Sequence, residues 1–281
     1  MRHIFNLQDC QVRLAKTEDT EDLISIARGI WGGSDYLPRI LPRWLQEPYF
    51  FVCEYQGRVI ACIKLSLFPD NVLWFEGLRV HARFQGKGVG KLMNREMFRF
   101  AASLKAKNPL LTFEFCTYYK NTESLHITKQ AGFEVVKQFY TVDKHGIKKQ
   151  SEPVIMKDYD LTLFNIYPDY IPCGWQSVHN CPEALDFIQK RCIVFETNQA
   201  RYLHAGLAEK NIILLSPPPK DIQAELPFFQ SFYTPLKKYG LILPLNYRAY
   251  LPKLKKAGFR FWDNETKPVK NMLVLKMKQA V

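Results

Sequence analysis

Glu76 stands ten residues before Gly86, the first of three glycines in the run Gln85-Gly-Lys-Gly-Val-Gly-Lys91. A carboxylate set among Trp74, Phe75 and Leu78 is costly to bury without a partner, so it reads either as a proton acceptor or as a structural acid that is ion-paired or turned to solvent. Gly86, Gly88 and Gly90 strip the turn of side-chain bulk, which lets main-chain N–H groups from Gln85 through Lys91 converge on one point. A helix starting at Val89 adds partial positive charge at that point, and the natural occupant is a phosphate group. The spacing is not a Walker loop, because no Gly-Lys-Ser/Thr follows. Nor is it the dinucleotide fingerprint, which needs Gly-x-Gly-x-x-Gly after the first strand of a βαβ unit.

The elements that must hold these residues are legible on both sides. The apolar run 72–80 reads as the strand that carries Glu76 into the turn. Beyond the turn, Val89, Leu92, Met93, Met97, Phe100, Ala101 and Leu104 recur at three- and four-residue steps, the stripe of an amphipathic helix. Upstream, 10–15 alternates as a first strand, Thr17-Glu-Asp opens a helix with Leu23, Ile26, Ala27 and Ile30 on one face, and 40–45 resumes it. Residues 50–55, 59–67 and 72–80 form three strands joined by tight turns. Downstream come a strand at 110–117, a helix at 122–131 closed by Gly132, and strands at 133–140 and 154–163.

Composition sets the bounds. The 281 residues are 47% apolar and 23% charged, as in a folded protein long enough for two domains. No apolar run reaches membrane-spanning length and the first residues are no secretory signal, so a cytoplasmic protein with no membrane partner is expected. The seven cysteines include no C-x-x-C pair and read as reduced thiols, and no Cys/His spacing suggests a metal. The net charge of +12 is spread along the chain without a basic block, which argues against nucleic acid as a partner. Oligomeric state is not readable.

The run Gln85-Gly86-Lys87-Gly88-Val89-Gly90 resembles the acetyl-CoA signature Gln/Arg-x-x-Gly-x-Gly/Ala of the GCN5-related N-acetyltransferases. Asn121-Thr-Glu-Ser-Leu-His-Ile-Thr-Lys-Gln-Ala-Gly-Phe133 resembles the second family motif, which begins with the same Asn. The resemblance implies an α/β (α+β) acetyltransferase fold with a mixed central sheet and helices on both faces, over residues 1–163. It implies acetyl-CoA as co-substrate, no metal, and cofactor contacts from Leu78, Arg79, Val80, Gln85, Gly86, Lys87, Gly88, Val89, Gly90, Lys91 and Asn121. Main-chain groups near Leu78 and Val80 would hold the pantetheine arm, and an N–H there would polarise the thioester oxygen. Glu76 matches the position of a catalytic glutamate in the family's diamine acetyltransferases. The usual proton-donating tyrosine falls on Thr128, too weak an acid, so Tyr118 and Tyr119 at the end of the neighbouring strand are the alternatives beside solvent.

The loop Gly29-Ile-Trp-Gly-Gly-Ser-Asp-Tyr-Leu-Pro38, the following Pro-Arg-Trp-Leu and the strand Phe-Glu-Gly-Leu-Arg-Val resemble the histidine N-acetyltransferases. That resemblance implies direct acetylation of the α-amino group of a small amino acid, L-histidine, in a ternary complex. Asp35, Tyr36, Arg43 and Glu114 are then the expected acceptor contacts: a cation for the carboxylate, acids and a phenol for the imidazole. Arg79 and Arg83 could equally meet the carboxylate or the phosphates. Residues 164–281 read as a smaller α/β unit with strands near 192–196, 211–215, 241–245, 259–263 and 271–278. Lys255-Lys-Ala-Gly-Phe259 echoes Lys129-Gln-Ala-Gly-Phe133, so this unit is either a degenerate acetyltransferase-like half covering the acceptor site or an unrelated cap. Two rival functions stand beside the first: a protein or peptide N-acetyltransferase, and a non-catalytic acyl-CoA-binding protein.

Overall fold

A computed structural model describes residues 5–30, 33, 35–206, 210–232 and 238–278. Trp31, Gly32 and Ser34 of the expected acceptor loop lie outside the described residues. The chain forms two compact units, Met1–Phe115 and Cys116–Val281. The first runs β1 (Gln11–Leu14), α1 (Thr20–Arg28), α2 (Leu37–Gln46), β2 (Phe50–Tyr55), β3 (Arg58–Phe68), β4 (Val72–Val80), α3 (Val89–Lys107) and the start of β5 (Thr112–Tyr118). Its strands lie in the order β1-β2-β3-β4-β5, antiparallel until β4 meets β5 in parallel. The two hairpins are tight because Gln56, Gly57 and Asn71 adopt positive φ. Leu23, Ile26 and Ala27 of α1 and Val89, Leu92, Met93, Met97 and Ala101 of α3 are buried, the faces their spacing predicts.

Two irregularities in β4 matter for the site. The parallel ladder to β5 covers only Val72↔Thr112 to Phe75↔Phe115, so it ends one residue before Glu76. On the other edge the register shifts: Cys62 faces Arg79, yet Lys64 faces Glu76. Gly77 and Leu78 therefore oppose Ile63 alone, a β-bulge. Gly77 sits at φ +70°, and a Cβ there would lie 2.5 Å from Cη2 of the fully buried Trp44. Only glycine fits both the backbone conformation and the indole packed against it.

The second unit continues with α4 (Thr122–Gln130), β6 (Phe133–His145), β7 (Val154–Ile155), β8 (Tyr170–Cys173), β9 (Gln176–His179) and α5 (Pro182–Arg191). It ends with β10 (Ile193–Glu196), β11 (Arg201–His204), β12 (Asn211–Leu214), α6 (Ile222–Gln230), β13 (Lys238–Leu243), α7 (Leu251–Lys256) and β14 (Met272–Met277). Its sheet runs β14-β6-β13-β12-β11-β10-β7, with β8–β9 a separate hairpin. The strand expected at 133–140 extends to His145 and pairs with both β13 and β14, which draws it into this unit and sets the division of compactness before residue 163. The strand expected at 154–163 is two residues long, and Leu161–Phe164 turns as a 3₁₀ helix capped by the Asp160 side chain. The strand expected at 259–263 reduces to one bridge, Asp143↔Arg260, before a 3₁₀ turn at Trp262.

Among the buried polar groups, Asn271 extends the ladder with its side chain, donating to Thr141 O and accepting from Thr141 N, each at 2.8 Å. His204 on β11 is 1% exposed, and burial lowers its pKa from 6.5 to about 4. The unfolded chain thus binds a proton there at a higher pH than the folded chain does. Stability is complete above the unfolded pKa and falls as pH drops from 6.5 towards 4, by about 3 kcal/mol in all. Urea denaturation followed by circular dichroism at pH 7 and pH 5 should show about 2 kcal/mol of that loss, and His204→Phe should flatten it.

Candidate active site

The glycine turn is built as an anion cradle. After β4 a 3₁₀ turn at Ala82–Phe84 leads into Gly86 at φ +71° and Gly88 at φ +85°, left-handed conformations that favour glycine. Gly88 is the N-cap of α3, at φ +85°, and has no side chain to cap the helix with. The leading N–H groups of a helix have no partner within it, and they carry the positive end of its dipole. No acidic residue lies in that first turn to compete for them. Gln85 folds back and donates from Nε2 to Val80 O at 3.0 Å, fixing the loop to the end of β4. Lys87 is exposed, its ammonium 5.5 Å from the ring centroids of both Phe5 and Phe84. A Cβ on Gly86 would meet nothing within 4 Å, so the cradle is open to a ligand. The residues present fit a diphosphate.

Glu76 is half-buried on β4 where the parallel ladder stops, and Ser66 on the neighbouring β3 donates to its Oε1 at 2.6 Å. Sequence reasoning missed Ser66 and the bulge at Gly77. The signals were a polar residue two places after Lys64 in an apolar strand, and a glycine inside a strand pattern. Leu78 is 37% exposed at the bulge, and Val80 is half-buried beside Gly90.

Asp35, Tyr36 and Arg79, expected on the acceptor and cofactor sides, contact one another. Arg79 donates to both carboxylate oxygens of Asp35, at 2.5 and 2.7 Å, with both side chains nearly excluded from solvent. Its guanidinium stacks 4.5 Å over the Tyr36 ring. Burial opposes the Arg79 charge, but Tyr36 and Asp35 outweigh it and hold the group firmly protonated. Asp35 also accepts from Leu37 N, so the pair anchors the start of α2. Arg43 on α2 pairs with Glu47 one turn on and is half exposed. Glu114 is fully buried on β5 opposite Trp74, with Thr112 donating to it at 3.3 Å.

In the second unit, Tyr118 donates to Asp263 at 2.9 Å and Tyr119 donates to Glu265 at 2.5 Å. Burial first and then Asp263 push the Tyr118 phenol well above its ordinary pKa, and desolvation and Glu265 raise that of Tyr119. Phenols so engaged are poor proton donors. Thr128 bonds back to Ser124 O at 2.7 Å within α4. Asn121 caps α4, accepting from Ser124 N, while its amide donates to Thr117.

Residues 19–133 match the Acetyltransferase (GNAT) family. The match covers less than half of the chain, and the glycine turn lies within the matched stretch. A histidine N-acetyltransferase of Scomber australasicus is 34% identical over 103 residues, 35% of this chain and 29% of that protein. A second, from Oreochromis niloticus, is 33% identical with the same coverage. The chain thus matches under a third of the length of these curated relatives. A GCN5-related N-acetyltransferase from Sphaerobacter thermophilus shares the fold over 97% of this chain and 96% of its own, with a TM-score of 0.60 at 13% identity. That likeness runs through both units, each of which belongs to the shared fold. No described helix is long and apolar enough to cross a membrane.

Proposed function

We propose that the chain is an acetyl-CoA-dependent N-acetyltransferase whose acceptor is the α-amino group of a small amino acid, L-histidine. The observation that carries the reading is the uncapped, glycine-lined start of α3 directly after a strand that parts from its parallel neighbour at Glu76. The relatives named histidine N-acetyltransferase support the choice of acceptor. In this reading the N–H groups from Gln85 to Gly90 bind the diphosphate, joined by the charges of Lys87 and Lys91. The main chain of Leu78 and Val80, released from the ladder, lies along the pantetheine arm. The co-substrate supplies a thioester carbonyl activated for attack by an amine.

Glu76 then accepts the proton that the acceptor amine gives up as its nitrogen attacks the acetyl carbon. The carbon–sulfur bond breaks and the thiolate leaves, taking its proton from water, since the Tyr118 and Tyr119 hydroxyls are committed to Asp263 and Glu265. No covalent enzyme intermediate is needed. Arg79 serves the site indirectly by fixing Asp35, Tyr36 and the start of α2. Residues 164–281 are read as a degenerate acetyltransferase-like second half. Thiol release from acetyl-CoA should be measured against the twenty amino acids, polyamines and peptide amines. A signal confined to histidine is expected. A signal from peptides alone, or none with coenzyme A still bound, would reject the reading.

A further inference from the structure

We infer that residues 5–10, the segment ahead of β1, form a clasp that holds the glycine turn in shape for its ligand, with Phe5 and Leu7 as positioning residues; the identity of that ligand rests on the function proposed above. The clasp closes at Gly88, the N-cap of α3, where a Cβ would lie 3.2 Å from Leu7 Cδ2. Leu7 therefore packs on the face of the turn that a side chain would otherwise fill. Phe5 ties the turn to the sheet. Its ring centroid lies 4.9 Å from that of Tyr55 on β2 and 5.3 Å from that of Phe84, and Tyr55 and Phe84 are 5.8 Å apart. Tyr55 is buried, whereas Phe5 and Phe84 are only partly so. The Lys87 ammonium, 5.5 Å from the centroids of both Phe5 and Phe84, lies within cation–π reach of each ring. The segment has its own reason to keep this course: Asn6 accepts from Gln8 N at 3.1 Å, Cys10 N donates to Leu7 O at 3.2 Å, and Gln11 then pairs with Glu54. All of these groups belong to the first unit.

Such a device answers a weakness of the turn itself. Gly86, Gly88 and Gly90 leave the N–H groups open to a ligand, but glycine also loses more backbone freedom on ordering than any other residue. An unsupported turn would have to be ordered by the ligand, at a cost to affinity. Leu7 against Gly88 restricts the turn before any ligand arrives. Lys87 presents the same difficulty, since a long side chain free in solvent loses rotamer freedom when it meets an anion. The Phe5 and Phe84 rings hold its charge beside the turn. Neither Phe5 nor Leu7 has a side-chain polar group to offer a phosphate, so their effect on binding passes through Gly88 and Lys87.

The test is coenzyme A binding by the full chain, measured by calorimetry, with deuterium uptake across residues 84–92 recorded in the absence of ligand. Leu7→Ala should bind coenzyme A roughly tenfold more weakly than the wild type and exchange faster through the turn. Leu7→Met, close to leucine in size and apolar, should return both quantities to within about twofold of the wild type. Phe5→Leu should weaken binding by roughly fivefold, yet by less than about twofold once Lys87→Met has removed the ammonium through which the ring acts. The urea midpoint should stay at its wild-type value in each variant. Unchanged affinity and uptake in Leu7→Ala and Phe5→Leu would overturn the clasp and leave the cofactor reading standing. A lowered urea midpoint with unchanged affinity would overturn it equally, since Phe5 and Leu7 would then serve stability alone. Losses from Phe5→Leu and Lys87→Met that add in full would overturn the part given to Phe5. A wild type that binds no coenzyme A overturns both the clasp and the cofactor reading.

Discussion

Glu76→Gln is expected to lower turnover by roughly 10²–10⁴-fold, the usual contribution of a positioned general base, while the KM for acetyl-CoA moves little. The amide is close to the carboxylate in size and can still accept from Ser66, so the bond at 2.6 Å has a successor and the local packing is kept. What is lost is the capacity to take a proton. The glycine turn begins ten residues further along the chain and does not depend on this side chain, so coenzyme A affinity should survive. Steady-state kinetics with both substrates varied separates the two quantities. Turnover within threefold of the wild type would remove Glu76 from the mechanism and leave it the structural acid that its half-buried, hydrogen-bonded setting also permits. Ser66→Ala, which releases the carboxylate without removing it, should cost less than Glu76→Gln.

Asp35→Ala should destabilise the first unit by about 3–5 kcal/mol, because it leaves the Arg79 guanidinium buried beside an apolar methyl group with no carboxylate to accept from it. The side chain of Arg79 is 4% exposed and that of Asp35 1%, so water cannot replace the missing partner without opening the start of α2. Trp44 and Trp74 are fully buried in this unit, which makes the shift to the red of intrinsic fluorescence on denaturant unfolding a suitable readout. Replacing both members, Asp35→Leu with Arg79→Met, should recover part of the loss, because two matched apolar side chains leave no orphaned charge. A midpoint for Asp35→Ala within the error of the wild type would mean that the pair does not hold the α2 junction. The double variant offers a check on function. If Arg79 served the phosphates directly, its removal would weaken coenzyme A binding in fully folded protein.

The glycine turn was legible because the property that makes it a site, absence of side chains, is written directly in the sequence. The same holds for the face of α3, where Val89, Leu92, Met93, Met97 and Ala101 are buried at helical spacing. Glu76 could be singled out, but not its setting. The bulge that brackets it arises from Trp44 packing on Gly77, a contact between positions more than thirty residues apart that no local pattern contains. Asp35 and Arg79 illustrate the opposite difficulty. A charged residue in a glycine-rich loop and another on a strand both looked open to ligand, and only the tertiary structure joins them into one buried pair. In the second unit, β8, β9 and β11 are four residues each, too short for an alternating pattern to stand out from the surrounding loops. The strand expected at 259–263 had the composition of a strand, yet the 3₁₀ turn at Trp262 cuts it short and one bridge at Arg260 is what remains.

The central claim is that the main-chain amides from Gln85 to Gly90 receive the diphosphate of acetyl-CoA, and a crystal structure of the full chain grown with coenzyme A tests it most directly. That structure should show diphosphate oxygens within hydrogen-bonding distance of those N–H groups, the pantetheine arm along Leu78 and Val80, and the sulfur ending near Glu76. Coenzyme A bound elsewhere, with the start of α3 facing only solvent, would contradict it.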